Sequence, residues 1–440
     1  HLAMARTTHV AEGAQGKAFQ YFPGAGEPGP HAALAADGVS CTACHQIQNV
    51  ALGERESFTG GYTIDLTTPM GQRSALGPFE VDQGRSRLMH SASDFTPQEA
   101  PHIQSAEFCA SCHTLFTHAL DPQGNEVGEL AEQAPYLEWK HSAYQGQKVC
   151  QDCHMPVVDG EVAVTGVLPN PRTEVNQHAF MGGNFLMPRI LNKYRAELGV
   201  RARSQELETT SRASAENLGM KTARLAVEAL EVDPGQVAVE VTVENLAGHK
   251  FPSAYPSRRA WLHTTIRDTG GNVIFESGAL RPDGSIQGND NDADGSRFEP
   301  HYLEISSQDQ VQIYEDIMVD YAGEVTTGLL WGVRYIKDNR LLPEGFDKST
   351  ADWTVAVSGE AEGDEDFVGG GDRVRYSVFV DDEPGPYQVE VELWYQPIGY
   401  RWARNLGEYD SEESARFTMM FDGVAPSSAT LVARTREVVR

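Results

Sequence analysis

No run of apolar residues in this chain approaches the ~20 that a membrane-spanning helix needs, so membrane insertion is not expected. Positive charge is scarce. Lys and Arg number 35 against 63 Asp and Glu, for a net charge of −28. Such a surface repels nucleic acid and anionic membranes and favours cationic partners. The sequence has no G-x-S-x-G, no H-E-x-x-H and no phosphate-binding glycine loop. That removes the hydrolase, zincin and nucleotide-binding readings, and nothing supports a nicotinamide or flavin site. There is no tandem repeat at solenoid periods. Finally, no cysteine lies outside one short pattern: the chain has six, and all of them fall in it.

That pattern is C-x-x-C-H, present three times. The copies are Cys41-Thr-Ala-Cys44-His45, Cys109-Ala-Ser-Cys112-His113 and Cys150-Gln-Asp-Cys153-His154. The spacing is the signature of covalent c-type haem attachment. Two thiols form thioethers to the porphyrin, and the adjacent histidine is the proximal iron ligand. Zinc or disulfides are the competing uses. Zinc pairs, however, usually lack a histidine fused to each. The expectation is three haems c.

Each iron then needs a distal ligand or an open position. His31, His102 and His141 lie shortly upstream of the three motifs. His178 stands in His-Ala-Phe-Met-Gly-Gly-Asn, where paired glycines would allow close backbone approach to a flat porphyrin. His90 follows Leu-Met, and His249 lies far downstream in Gly-His-Lys-Phe-Pro. These six are the candidate distal ligands, with His118 a weaker one. Met155, Met181 and Met187 are alternatives that would raise the potential. The surplus of histidine favours bis-histidine ligation.

At 440 residues the chain should form two or three domains. Residues 1–184 hold every cysteine and most histidines, with little regular periodicity, and read as a loop- and helix-rich haem-packed domain. Residues 185–220 read as a helical linker, with Ile190, Leu191, Tyr194 and Leu198 on one face and Pro188 in a first turn. Tyr136–Lys140 reads as a short helix.

Residues 221–440 turn to period two. Val237, Val239, Val241 and Val243 alternate with polar residues and should pair with 222–231 across Asp233-Pro234-Gly235. Trp261–Asp268 and Val273–Glu276 should form a hairpin. So should Val374–Val380 and Tyr387–Tyr395, across Glu-Pro-Gly-Pro. The fold class expected is α+β, with an antiparallel β-sandwich following the haem domain.

Asp290-Asn-Asp292-Ala-Asp294-Gly295 matches the opening of a calcium loop, although His301 stands where a bidentate glutamate belongs. Glu299 or Glu304 could substitute, and a solvated acidic turn is the equal alternative. Glu362–Asp366 with Gly369–Asp372 is a weaker candidate. Trp394, Tyr395, Tyr400 and Trp402 cluster near Arg401 and Arg404, most simply to close the sandwich, with stacking on a haem edge or a partner the alternative.

The stretches Gly38-Val-Ser-Cys-Thr-Ala-Cys-His-Gln-Ile, Ser105-Ala-Glu-Phe-Cys-Ala-Ser-Cys-His, Cys150-Gln-Asp-Cys-His-Met-Pro and His178-Ala-Phe-Met-Gly-Gly-Asn resemble multihaem cytochromes c of bacterial respiratory chains. Gly-His-Lys-Phe-Pro and Arg258-Arg-Ala-Trp resemble β-domains attached to them. The resemblance implies closely stacked haems passing electrons, in the periplasm or outside the cell. Partners would be redox proteins or further copies of the chain, since some relatives polymerise into filaments. Others reduce nitrite or oxidise hydroxylamine. An oxidoreductase with one open iron, acting on a small nitrogen or sulfur compound, is therefore the alternative. Its acid or base would be His263 or a spare haem-domain histidine. The start, His1-Leu-Ala-Met-Ala-Arg, lacks an initiating Met and is similar to segments that follow a haem motif in longer cytochromes. A removed secretory signal and an upstream haem segment are the corresponding expectations.

Overall fold

Alternation of β-branched and polar residues builds the larger part of the structure. In the strand Gln236–Asn245, Val237, Val239, Val241 and Val243 are all buried. A pleated strand places every second side chain on one face, and β-branched residues pack well there. Each such side chain contributes about 1.5–3 kcal/mol when fully buried. The computed structural model describes residues 2–14, 31–230, 235–380 and 385–439. The chain divides into two units. One comprises His1–His113, Val149–Asp152 and Pro156–Asn176; the other comprises Thr114–Lys148, Cys153–Met155 and Gln177–Arg440.

The second unit is a β-sandwich with helices around it. One sheet runs Val273–Ser277, Arg259–Arg267, Tyr387–Gln396, Thr430–Val439, with Ile313–Tyr314 also on the Arg259 strand. The other runs Glu304–Ile305, Gly371–Phe379, Gln236–Asn245, Ala223–Ala229. All these pairings are antiparallel except the two-residue Glu304–Ile305 strand, which pairs parallel. The core takes the Val239 face of one sheet together with Leu262, Ile266, Val389, Val391 and Leu393 of the other. Trp261 points to the opposite face, where it packs on Ile286, Val311 and Ile313.

Both hairpins expected from the 221–276 region form. Asp233 and Pro234 of the first turn lie outside the described residues. The hairpin expected between Val374–Val380 and Tyr387–Tyr395 does not form. Those two strands sit in different sheets, because each is flanked on both edges by other partners. The connection carries the chain from one layer to the other, and of the Glu-Pro-Gly-Pro segment only Gly385-Pro386 is described. The helical stretch resolves into two helices, Leu186–Lys193 and Ser204–Lys221, with Phe185, Leu186, Ile190 and Leu218 buried. Tyr136–Lys140 falls within the helix Pro135–Lys140.

The first unit is built otherwise. Its regular elements are short: Ala3–Ala11, Ala32–Asp37, Cys41–Cys44, Gln83–Ser93 and Ala106–His113, plus the parallel strand pair Ser74–Gly77 and Thr96–Glu99. Among the described residues of this unit, the buried apolar side chains are mainly small: Ala5, Ala35, Ala43, Ala100, Ala106 and Ala110, with Ile47, Phe58, Ile64 and Leu76. Alanine adds little apolar area, so these described side chains alone make a thin core. Among the described residues, no helix is long and apolar enough to cross a membrane.

Candidate functional site

Each C-x-x-C segment forms a short helical turn that ends at or next to its histidine. The turns are Cys41–Cys44 with His45 as C-cap, Ala106–His113, and Cys150–His154. A helical turn places residues i and i+3 on one face, so each turn presents both thiols on the same side. No disulfide joins any of the six. Burial raises the Cys44 thiol pKa, and the neighbouring Cys112 and Cys41 raise it further. Cys109 is pushed well up by its hydrogen bond to Cys150 and by burial, while Cys150 is lowered by that same bond. The first motif therefore neighbours the second, and the second neighbours the third. Gln151 ties the third turn down by donating to Ile103 O and Ser105 O, each at 2.9 Å.

The histidines of the first and third motifs are oriented through their backbone surroundings. His45 Nδ1 meets the carbonyl of Leu76, and His154 Nδ1 meets that of Met181. A carbonyl only accepts, so the proton sits on Nδ1 and the lone pair on Nε2. That is the tautomer a metal-binding imidazole uses when its other nitrogen is held by an outer acceptor. Met181 N also donates to His154 O at 3.0 Å, closing a reciprocal link. Burial lowers the His154 pKa, and His249 adds to this, so the ring stays neutral.

His249 is where the structure is most specific. Its Nδ1–H donates to Lys250 O at 2.8 Å, again leaving the lone pair on Nε2. Its ring lies beside that of His154, with centroids 6.2 Å apart and planes 12° from parallel. Metal–imidazole bonds are about 2 Å long, so two imidazoles on opposite sides of one metal have centroids about 6 Å apart. The pair thus fits an iron bound by both rings. Asn245 pins the loop by donating to His249 O at 3.0 Å and Leu341 O at 2.9 Å.

Behind this loop lies a buried charge cluster that no local pattern announces. Lys250 Nζ donates to Asp338 at 2.7 Å and to Ala356 O at 3.2 Å, and Lys250 N donates to Glu138 at 3.1 Å. Arg340 bridges Asp338 at 2.7 Å, Glu138 at 3.0 Å and Asp316 at 3.3 Å. Burial acts against ionisation at Asp338, but Arg340 and Lys250 hold it down to about 2. Burial pushes Asp316 well up. Two cations face three carboxylates, and of these Asp316 is the one that burial inclines toward its protonated form.

The other candidate histidines are placed separately. His141 Nδ1–H donates to Leu137 O at 2.9 Å, and its ring packs on Phe346. It has the same tautomer as His249. His102 has the opposite one, since its Nε2–H donates to Ile47 O at 2.9 Å. His90 Nδ1 is 3.4 Å from Thr96 Oγ1 in the last turn of its helix. His31 Nε2 meets Glu12 at 2.8 Å, and His118 Nδ1 meets Glu126 at 2.8 Å. His178 lies edge-on to Phe180. Of the glycines after it, Gly183 answers to a different neighbour: a Cβ there would lie 2.5 Å from Tyr395 Oη. His263, the candidate acid or base, is held between Glu392 at 3.1 Å and Glu276 at 3.0 Å.

The acidic turn sends its carboxylates to separate partners. Asp292 takes both arms of Arg259, Asp290 pairs with Arg297, and Asp294 accepts from Ser296. Glu299 accepts from Asp290 N and Tyr302 Oη. Among the described residues, metal-type side chains converge in two other groups: His9, Glu12, His31, and His301, Asp364, Asp372. In the second group His301 Nδ1 accepts from Gln312 at 2.9 Å and Asn339 at 3.1 Å. Tyr302 N and Glu315 N fix the orientation of those amides by donating to their oxygens. His301 Nε2 therefore carries the proton and donates to Asp364, which leaves no lone pair there for a metal. The aromatic cluster is structural: Trp394 stacks on Trp261, Trp402 packs on Tyr255, and Arg404 lies over Tyr400.

No protein-family model matches the sequence, and no curated protein matches it. A solved structure does: a penta-haem cytochrome c552 from Thermochromatium tepidum, with a TM-score of 0.50 and 15% identity, aligned over 93% of this chain and 79% of that one. The likeness is one of fold. It extends over both units, sandwich included.

Proposed function

We propose that this chain is a multihaem c-type cytochrome that carries electrons through haems attached at Cys41/Cys44, Cys109/Cys112 and Cys150/Cys153. The observation that carries the reading is the His154–His249 pair: matched tautomers, near-parallel rings and the spacing of two axial ligands on one iron. Three C-x-x-C-H turns with mutually neighbouring cysteines support it, as does the fold likeness to a penta-haem cytochrome. Bound haem supplies reversible one-electron chemistry. The chain's residues supply attachment, axial nitrogens and burial, which set potential and spacing. His45, His113 and His154 are the proximal ligands, and His249 is the distal ligand paired with His154. His141 has the tautomer for a second distal role.

The setting is periplasmic or extracellular, where such haems are attached. The partner is a redox protein with a cationic docking face, given the net charge of −28. Assembly with further copies into a filament is the finer form of this reading, and negative-stain electron microscopy across salt and calcium tests it. Unbranched fibres support it; uniform single particles overturn it.

The primary test is low-temperature EPR of the oxidised protein, with spins counted against haem content by pyridine haemochrome. Three haems per chain, all low-spin ferric, are expected. A substantial high-spin fraction would mean an open iron, and the oxidoreductase reading would replace this one.

A further inference from the structure

We infer that His9, Glu12 and His31 form a binding site for a single divalent transition-metal ion, separate from any haem. His9 lies in the last turn of the helix Ala3–Ala11, and Glu12 is that helix's C-cap, so both face one side. His31 is the N-cap of Ala32–Asp37. Ala5 and Ala35 are buried, and such small side chains let the two helices pack closely. One ligand atom from each of the three residues lies within 4.8 Å of the others. The imidazoles stand at 87° with centroids 6.1 Å apart, and His31 Nε2 is 2.8 Å from Glu12 Oε2.

Two imidazoles and one carboxylate are the donor set of zinc, cobalt, nickel or ferrous iron, not of calcium or magnesium. Ligand atoms sharing one such ion stand about 3 Å apart, which the His31–Glu12 pair already matches and which rotation of the His9 side chain on its helix brings within reach. A surface His–Glu ion pair alone contributes little to stability and needs no second imidazole. The convergence of His9 on that pair is what a metal accounts for. A porphyrin is a poor occupant, because the Glu12 carboxylate sits where the macrocycle would lie against His31 Nε2. None of the three residues follows a cysteine pair either. The inference does not depend on the haem assignment.

The test uses the haem-loaded full chain, stripped with chelator and titrated with Zn(II) by isothermal calorimetry. One site per chain is expected. His9→Ala and His31→Ala should each weaken it at least about tenfold, and Glu12→Gln by less. His118→Ala, which removes an exposed histidine paired with Glu126, should leave it unchanged. Glu12 is exposed, so its variant tests the site without risk to folding. Zinc affinity unaffected by Glu12→Gln and His31→Ala together would overturn the inference. So would conversion of a low-spin ferric signal to high-spin in His31→Ala, since that would make His31 a haem ligand.

Discussion

His154 and His249 stand ring beside ring, 6.2 Å between centroids, each with Nδ1 turned to a backbone carbonyl. One follows a C-x-x-C pair; the other lies in the loop that leaves the sandwich strand Gln236–Asn245. Axial ligation from that loop would make haem attachment and sandwich folding interdependent. Replacing His249 with Met exchanges an imidazole for a thioether, which stabilises ferrous iron. One midpoint potential should rise by on the order of 0.1 V while the others stay in place. Spectroelectrochemical titration of wild type and variant reads this. An unmoved set of potentials would remove His249 from the coordination sphere.

The loop bearing His249 rests on charge. Lys250 is fully buried and pairs with Asp338, while Glu138 accepts from its backbone N–H. Removing one partner of a buried pair leaves the other uncompensated, at about 3–5 kcal/mol. Lys250→Ala should lower unfolding stability by that amount, measured by denaturant titration with circular dichroism. A second expected result is partial loss of low-spin character at one haem, because the carbonyl that orients His249 belongs to Lys250. A loss below about 1 kcal/mol would mean that water reaches the cluster.

The sequence made local features readable and long-range ones not. Three C-x-x-C-H copies are local, and their short turns form where the spacing places them. Val237 to Val243 alternate, and their strand pairs with the neighbour expected. Sheet membership is not local: the short link between Phe379 and Tyr387 favours a hairpin, yet each strand's outer partners decide otherwise. The cluster of Glu138, Lys250, Asp316, Asp338 and Arg340 gathers charges from distant segments. No spacing rule could have announced it. The candidate distal histidines looked alike in sequence; what separates His249 from His102 is which ring nitrogen meets a carbonyl.

Gly183 offers a sharper check on packing. A Cβ there would meet Tyr395 Oη at 2.5 Å and Cζ at 3.1 Å. Tyr395 is buried, and its hydroxyl has no hydrogen-bond partner. Gly183→Ala should cost about 1–3 kcal/mol by overpacking. Combining it with Tyr395→Phe, which removes the clashing oxygen, should recover much of that loss, a coupling that a double-mutant cycle measures. Additive losses would show that the glycine serves some other neighbour.

Asp372 makes stability fall as pH rises. Its Oδ2 accepts from Tyr314 at 2.8 Å and Gln312 at 3.2 Å, while Oδ1 is buried without a partner. Burial pushes its pKa up to about 7 from the ordinary 3.8, and nearby Asp364 adds to this. A carboxyl whose folded pKa exceeds its unfolded value binds more protons when folded. Its contribution is intact below pH 4 and declines between pH 4 and 7, by up to about 4 kcal/mol. Asp372→Asn keeps an oxygen for Tyr314 and Gln312 and removes the titration. The variant should match wild type near pH 4 and exceed it in unfolding stability at pH 7, with a flatter pH profile. Equal slopes in the two proteins would mean that Asp372 stays ionised in the folded state and that Oδ1 has found a donor, with His301 Nε2 at 3.8 Å from it the nearest candidate.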